Sequence, residues 1–367
     1  MKKISQENGA AHPHKVTLKM IAEQAGVSVS CVTRCINNSG YVSQKKREQV
    51  QLVMNQLNYV PNSQAKALRG GTSKLLAYVY LATDENIFFT KIATRIEELS
   101  FEKGYTILSF ALKKANAGTF KEVMSSLLSY GVDGLIFNTG STQPIIDKVK
   151  ELIRTISVPA VMIERTGDVF DVEKVLIDNT EGSYTAVSKL NEFGHRKIGF
   201  IGVEPMMKVE KERYEGYRQA MQDIDPEFVR QNTFFAEDYT VENGYRTFLK
   251  AIDSIRKRYK ADRPTAFLIA SDILAAGAFR AAAEQSVRIP DDYSVIGFDD
   301  TIAEFLAPPL ATMQLPAEEI AEAALDILIE KIHSRGNHDS HRTVKIGPVF
   351  IARASVKDLR DVEKTEC

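Results

Sequence analysis

Between Val16 and Leu57 apolar residues recur three and four positions apart; from Leu75 onward they gather into short unbroken runs. The first pattern is that of amphipathic helices, the second that of buried strands. In the helical part, Ile21, Ala22 and Ala25 make one stripe, Val32, Cys35 and Ile36 a second, and Val50, Val53, Met54 and Leu57 a third. Thr17, Ser28 and Ser43 stand where N-caps are wanted, so the spacing predicts helices over 18 to about 25, 29–37 and about 44–57. Gly26 suits a turn with positive φ between the first two. Pro61 ends the third helix. A short segment that Asn62 can cap then runs to Gly70–Gly71. A lone helix of about seven residues is unstable in water, so 61–71 is expected to dock or to fold on binding.

The apolar runs are 75–82, 105–110, 134–138, 160–164, 175–178, 197–202, 234–237, 266–271 and 294–300, with amphipathic helical stretches between them. Such alternation predicts parallel sheets covered by helices on both faces. Nine or more strands suit two α/β lobes, whose ligands bind beyond the carboxyl ends of the strands. The fold class is therefore a small all-α helix-turn-helix head followed by a two-lobed α/β body. Residues 1–14 are polar and read as a disordered tail, and 357–367 read as a C-terminal tail.

Composition narrows the class. No stretch approaches the roughly 20 apolar residues of a membrane span, and the lysines near the N-terminus have no apolar segment behind them. The expected location is cytoplasmic, which three cysteines and no disulfide framework also fit. A net charge of −1 conceals an asymmetry. Residues 15–69 hold eight Lys/Arg against Glu23 and Glu48, a balance of +6, while 70–367 are acidic. A basic head on an acidic body is the footprint of a head that meets phosphates.

A helix-turn-helix presents the N-terminal part of its second helix to base edges in the major groove. Here those residues are Val29, Ser30 and Arg34. Arg34 can pair with guanine, Val29 can touch a thymine methyl, and Ser30 can bond several bases. Thr17, Ser28, Thr33, Asn37 and Ser43 are suited to phosphate oxygens. Cys31 and Cys35, four apart on this helix, raise the idea of a metal site or thiol switch, but with no second cysteine pair they read as small packing residues. No metal is expected at His333, His338 and His341 either, which read as an exposed loop. No phosphate-binding loop, dinucleotide fingerprint or nucleophile elbow occurs, so neither a cofactor nor an enzymatic activity is expected.

The stretch VTLKMIAEQAGVSVSCVTRCINNSGYVSQKKREQV resembles the N-terminal domain of the LacI/GalR family of bacterial repressors, and LNYVPNSQAKALRGG resembles that family's hinge helix. The likeness continues through GVDGLIFNTG, FGHRKIGFIG, RYEGYRQAM, TAFLIASDILAAGAFRAA and IPDDYSVIGFDDTIAEFLAPPLATM. It implies a head over 15–60, a hinge over 61–71 and a periplasmic-binding-protein-like sensor over 73–356. The lobes it implies are discontinuous: an N-lobe of about 73–177 and 313–340, and a C-lobe of about 178–312 and 341–356, with crossings near Asp178, Met313 and His341. It also implies that Asn62, Ala65 and Leu68 belong to a minor-groove element, with Leu68 as the wedge between base steps. A homodimer on double-stranded, pseudo-palindromic DNA is the implied assembly. The C-terminus has no leucine heptads for a tetramerising coiled coil.

In the sensor, Glu164, Arg213, Ser271, Asp272 and Asp299 stand at strand ends or helix starts, where a cleft would open. Converging carboxylates and a guanidinium are suited to sugar hydroxyls. Each of the five, taken alone, could equally cap a helix or form an ion pair. By the resemblance, Arg213 and Asp299 grip the effector, while Phe89 and Tyr239 line it. The chain departs from the family where Glu164 replaces a common Asp, Ser271 a common Asn and Leu315 a common Gln. Phe88–Phe89 also follow Ile87 where Pro is usual. The expected function is a DNA-binding regulator, most simply a repressor, answering to a sugar or sugar derivative. A nucleobase, a phosphorylated metabolite or a phosphocarrier protein is the alternative signal. A sugar-binding or sugar-processing α/β protein, with Glu164 and Asp299 as acid and base, is the remote one; a basic head has no use there.

Overall fold

The computed structural model describes residues 16–37, 39–59, 72–81, 88–112, 117–138, 143–163, 171–334 and 341–360. The expected contacts Asn62, Ala65, Leu68 and Glu164, and the 1–14 tail, lie outside them. The chain divides into two compact units, Met1–Thr72 and Ser73–Cys367.

The first unit holds α1 (Leu18–Gln24), α2 (Val29–Asn37) and α3 (Gln44–Gln56). Thr17 Oγ1 accepts from the Met20 N–H at 3.3 Å, and Ser28 Oγ accepts from the Cys31 N–H at 3.2 Å, so both capping residues satisfy an orphan donor. Ser43 stands at the start of α3, but its side chain makes no capping bond. The α1–α2 turn closes as a Schellman motif: Val27 N–H bonds Ala22 O and Gly26 N–H bonds Glu23 O. Gly26 takes φ +61°, a conformation that costs a side chain about 1 kcal/mol or more. Seven buried side chains, from Ile21 to Met54, make the core.

The second unit contains two six-stranded sheets. The N-lobe sheet runs in the order β11 (Thr343–Ile346), β5 (Glu173–Ile177), β4 (Ala160–Ile163), β3 (Gly134–Phe137), β1 (Leu75–Leu81), β2 (Thr106–Leu112). The C-lobe order is β12 (Val349–Ile351), β10 (Ala311–Gln314), β9 (Ser294–Asp299), β8 (Ala266–Ile269), β6 (Ile198–Val203), β7 (Thr233–Ala236). All pairings are parallel except β10 with β12. Strands β3, β5, β8 and β9 are buried along their whole length, as helices on both faces require.

In the N-lobe these helices are α4 (Phe88–Glu102), α5 (Ala117–Ser129), α6 (Gln143–Ile153) and α12 (Ala317–Ser334). In the C-lobe they are α7 (Asn179–Glu192), α8 (Lys208–Gln222), α9 (Pro226–Gln231), α10 (Val241–Arg256) and α11 (Asp272–Glu284). Helices α10 and α11 pack backbone to backbone. A Cβ at Gly277 would overlap the Val241 carbonyl and the Tyr245 nitrogen.

Two expected crossings move. Ala311–Gln314 pairs with β9, so the second crossing follows Gln314 at Leu315–Pro316 rather than Met313. Thr343–Ile346 pairs with β5, so the third lies at Gly347–Pro348 rather than near His341. A strand of four residues takes its lobe from its pairing partner, which the sequence does not name. At the start of the expected tail, Lys357–Arg360 dock on the C-lobe. Lys357 N–H donates to Ser294 Oγ, and Leu359 N–H donates to the Phe193 carbonyl.

Candidate functional site

In the head, α2 buries Val32 and turns Val29, Ser30 and Arg34 outward, with Val29 43% exposed. An exposed valine at the helix start is costly in water and suits a methyl-lined groove. The hydroxyls of Thr17 and Ser28 accept from the backbone, which leaves their O–H groups to donate to phosphate. Thr33 is different. Its Oγ1–H donates to the Val29 carbonyl at 2.9 Å, so in this rotamer it offers phosphate no proton. Asn37 and Ser43 are half-buried rims of the unit.

In the sensor, Asp299 ends β9 with φ +106° and Asp300 follows at +54°, two non-glycine residues in the left-handed region. Arg213, on α8, reaches Asp299 Oδ1 at 2.9 Å; the two side chains are 7% and 4% exposed. The guanidinium also donates to Asn179 Oδ1 at 2.9 Å and to the Ala270 carbonyl at 2.6 Å, and lies 4.0 Å over the Phe298 ring. Asn179 was not singled out by sequence. Its only signal was its place after Asp178 at the first crossing.

A cavity of about 550 Å3 opens beside Asp299 between the lobes. Phe88, Lys91 and Arg95 of α4 line one side, with Asp300 and the Gln314–Leu315–Pro316 crossing on the other. Lys91 Nζ donates to the Asp300 carbonyl at 3.1 Å, tying the N-lobe to the C-lobe. The Asp300 carboxylate accepts from Gln314 at 2.7 Å and from Arg353 at 2.8 Å. The doublet of aspartates was the one sequence hint to this hub.

Several expected effector contacts stand elsewhere. Phe88, not Phe89, lines the cavity, while Phe89 is buried one step round α4. Ser271 caps α11, accepting from the Ile273 and Leu274 N–H groups. Asp272 faces inward and accepts from Thr301 N–H at 2.8 Å and Thr312 Oγ1 at 2.7 Å. Burial, then the nearby Asp299, push its carboxyl up to about 7. Tyr239 packs against the C-lobe core and is not among the cavity's lining residues. Both residues of the SD pair thus have hydrogen-bond partners within the C-lobe.

Among the described residues no group of three or more His, Cys, Asp or Glu could hold a metal ion, and no helix is long and apolar enough to cross a membrane. A helix-turn-helix head followed by a two-lobed binding domain defines a ligand-responsive DNA-binding regulator. The family of "Bacterial regulatory proteins, lacI family" matches residues 17–62, and a "Periplasmic binding protein-like domain" matches 187–356. The chain is 33% identical to the transcriptional regulator DegA of Bacillus subtilis, across 94% of this chain and 99% of the relative. It is 31% identical to the repressor PurR of Mannheimia succiniciproducens and 30% to the ribose operon repressor of Haemophilus influenzae, at the same coverage. Among solved structures, the lac repressor dimer bound to operator and the anti-inducer ONPF superposes with a TM-score of 0.77 at 25% identity, covering 93% of this chain and 99% of that one. The CelR–cellobiose complex gives 0.65 at 26%, with the same coverage. The chain belongs to the LacI family of bacterial transcriptional regulators, DNA-binding proteins rather than enzymes.

Proposed function

We propose that this chain is a cytoplasmic, dimeric repressor whose hold on DNA is set by a neutral polyhydroxylated effector, a free sugar or sugar derivative, in the interlobe cavity. The observation that carries the reading is Asp299, a buried carboxylate held in left-handed backbone beside that cavity and backed by Arg213. A hydroxyl both donates and accepts; in this lining Asp299 and Asp300 can accept while Lys91 and Arg95 can donate. Two similar proteins are named for or solved with sugars: the ribose operon repressor and CelR with cellobiose.

Charge argues against a phosphorylated signal. The lining carries Glu98, Asp299, Asp300, Glu318 and Glu319 against Lys91 and Arg95. The exposed face of α12 repeats Glu318, Glu322, Asp326 and Glu330 once per turn, a surface that repels a phosphoprotein. Phe88 in the lining keeps a nucleobase as the second reading, since its ring can stack on a base.

Two copies place two heads on a pseudo-palindrome. Val29, Ser30 and Arg34 read bases, Thr17 and Ser28 hold phosphates, and Leu68 wedges the minor groove. The lac repressor dimer supports the pairing, as does Phe305, left 78% exposed by a single chain. Effector that favours one arrangement of the lobes shifts DNA affinity only by its difference in affinity for the two arrangements.

The test is a thermal-shift panel of free pentoses, hexoses, disaccharides, sugar phosphates and nucleobases. A sugar at 100 times its Kd should stabilise the protein by about 2.7 kcal/mol and should fail to do so in Asp299→Asn. Stabilisation by phosphorylated compounds alone, or an equal shift in the variant, would overturn the assignment.

A further inference from the structure

Cys31 and Cys35 lie one turn apart on α2, both half-buried and neither in a disulfide. Cys35 leans on the head's apolar core, while Cys31 stays outside it, three positions from Arg34. Being four apart, the two side chains lie on the same flank of α2. The sequence alone suggested that both are packing residues; Cys31 is not.

We propose that Cys31 and Cys35 form a two-sulfur binding site for trivalent arsenicals on the flank of the recognition helix, and that its occupation opposes DNA binding. Residues four apart on a helix hold their Cβ atoms about 5–6 Å apart. A disulfide needs about 3.5–4.5 Å, so an intact α2 resists a direct sulfur–sulfur bond. One bridging atom supplies the missing span. Zinc asks for about four ligands, and among the described residues no group of three or more His, Cys, Asp or Glu completes such a set. Trivalent arsenic that keeps one organic substituent is satisfied by two sulfurs.

Burial, then the neighbouring Cys31, raise the Cys35 thiol above its usual range, outweighing the opposing charge of Arg47. Binding is a condensation. The two S–H protons pass to the oxygen of R–As=O and leave as water. Two As–S bonds replace the As=O bond, and arsenic stays trivalent. The adduct then stands beside Arg34. This second half rests on α2 being the groove-entering helix; the stoichiometry of binding does not.

Phenylarsine oxide on the full-length protein tests both halves. The chain has only three cysteines, so the controls are few. Wild type and Cys367→Ser should gain one phenylarsenic group per chain and lose two titratable thiols. The adduct should resist excess 2-mercaptoethanol and be released by a vicinal dithiol. Cys31→Ser and Cys35→Ser, confirmed as folded by circular dichroism, should retain none under the same monothiol. On a duplex that the protein itself selects from a random pool, the adduct should weaken wild-type binding by about tenfold or more and leave Cys31→Ser unchanged. An adduct that survives in Cys31→Ser, or that needs Cys367, overturns the site. Unaltered duplex binding by fully adducted wild type overturns its effect on DNA.

Discussion

Arg213→Ala isolates the most exacting contact in the sensor. The side chain is 7% exposed, and its guanidinium donates to Asn179, Ala270 and Asp299 at once. Truncation leaves the Asp299 carboxylate, 4% exposed, without its cation. Breaking a buried pair from one side costs about 3–5 kcal/mol, because the surviving charge stays desolvated. Each kcal/mol moves the melting point of a large domain by about 2–4 °C, so the loss should be roughly 10 °C. Adding Asp299→Asn to Arg213→Ala removes the stranded charge and should recover at least half of the loss. Differential scanning calorimetry of wild type, the two single variants and the double variant closes the cycle. An Arg213→Ala melting point within about 1 °C of wild type, or a double variant no better than the single, would refute the reasoning. Asp299→Asn alone keeps the shape and an acceptor for Arg213, so it is the better probe of effector binding.

His195 should make stability fall in mild acid. It is buried, with Nδ1 2.9 Å from Thr265 Oγ1 and Nε2 3.1 Å from the Lys357 carbonyl; the carbonyl can only accept, so Nε2 carries the proton. Burial lowers its pKa from 6.5 to about 4, against the pull of the carbonyl and Asp358. The stability is complete above pH 6.5 and is lost as pH falls toward 4, about 2 kcal/mol of it by pH 5. Urea midpoints should therefore drop less between pH 7.5 and 5 in His195→Gln; equal slopes would remove His195 as the cause. Gly277→Ala should destabilise by about 3 kcal/mol or more, since the new methyl meets backbone on α10 that cannot rotate away; a neutral melt would contradict the close packing. Arg34→Ala should cost about 1–3 kcal/mol on the selected duplex and relax preference at one base position, measured by repeating the selection. An unchanged consensus would take Arg34 out of base readout.

The three head helices could be read from Thr17, Ser28, Gly26 and the apolar spacing because caps, turns and helical stripes are local. Strands β1 to β9 were equally plain, being apolar runs set between helical stretches. Strands β10, β11 and β12 were not, since Thr312, Gln314, Thr343 and Lys345 break the apolar run in the first two, and β12 has only three residues. The cleft was legible only in part. Arg213 and Asp299 do meet, over 86 residues of separation. A string of letters does not show that Ser271 caps a helix or that Asp272 accepts from Thr301 and Thr312. Phe88 and Phe89 differ by one helical step of about 100°, which decides which ring meets the cavity.

The sequence by itself determined the class of this protein, because a capped helix pair, a basic head and alternating strand–helix runs are short-range or additive properties of the chain. Tertiary structure alone decided which polar side chains pair with one another, where the chain crosses between lobes, and that Cys35 meets the head's core while Cys31 does not. Those depend on which face each side chain presents and on partners distant in the chain, and only packing fixes either.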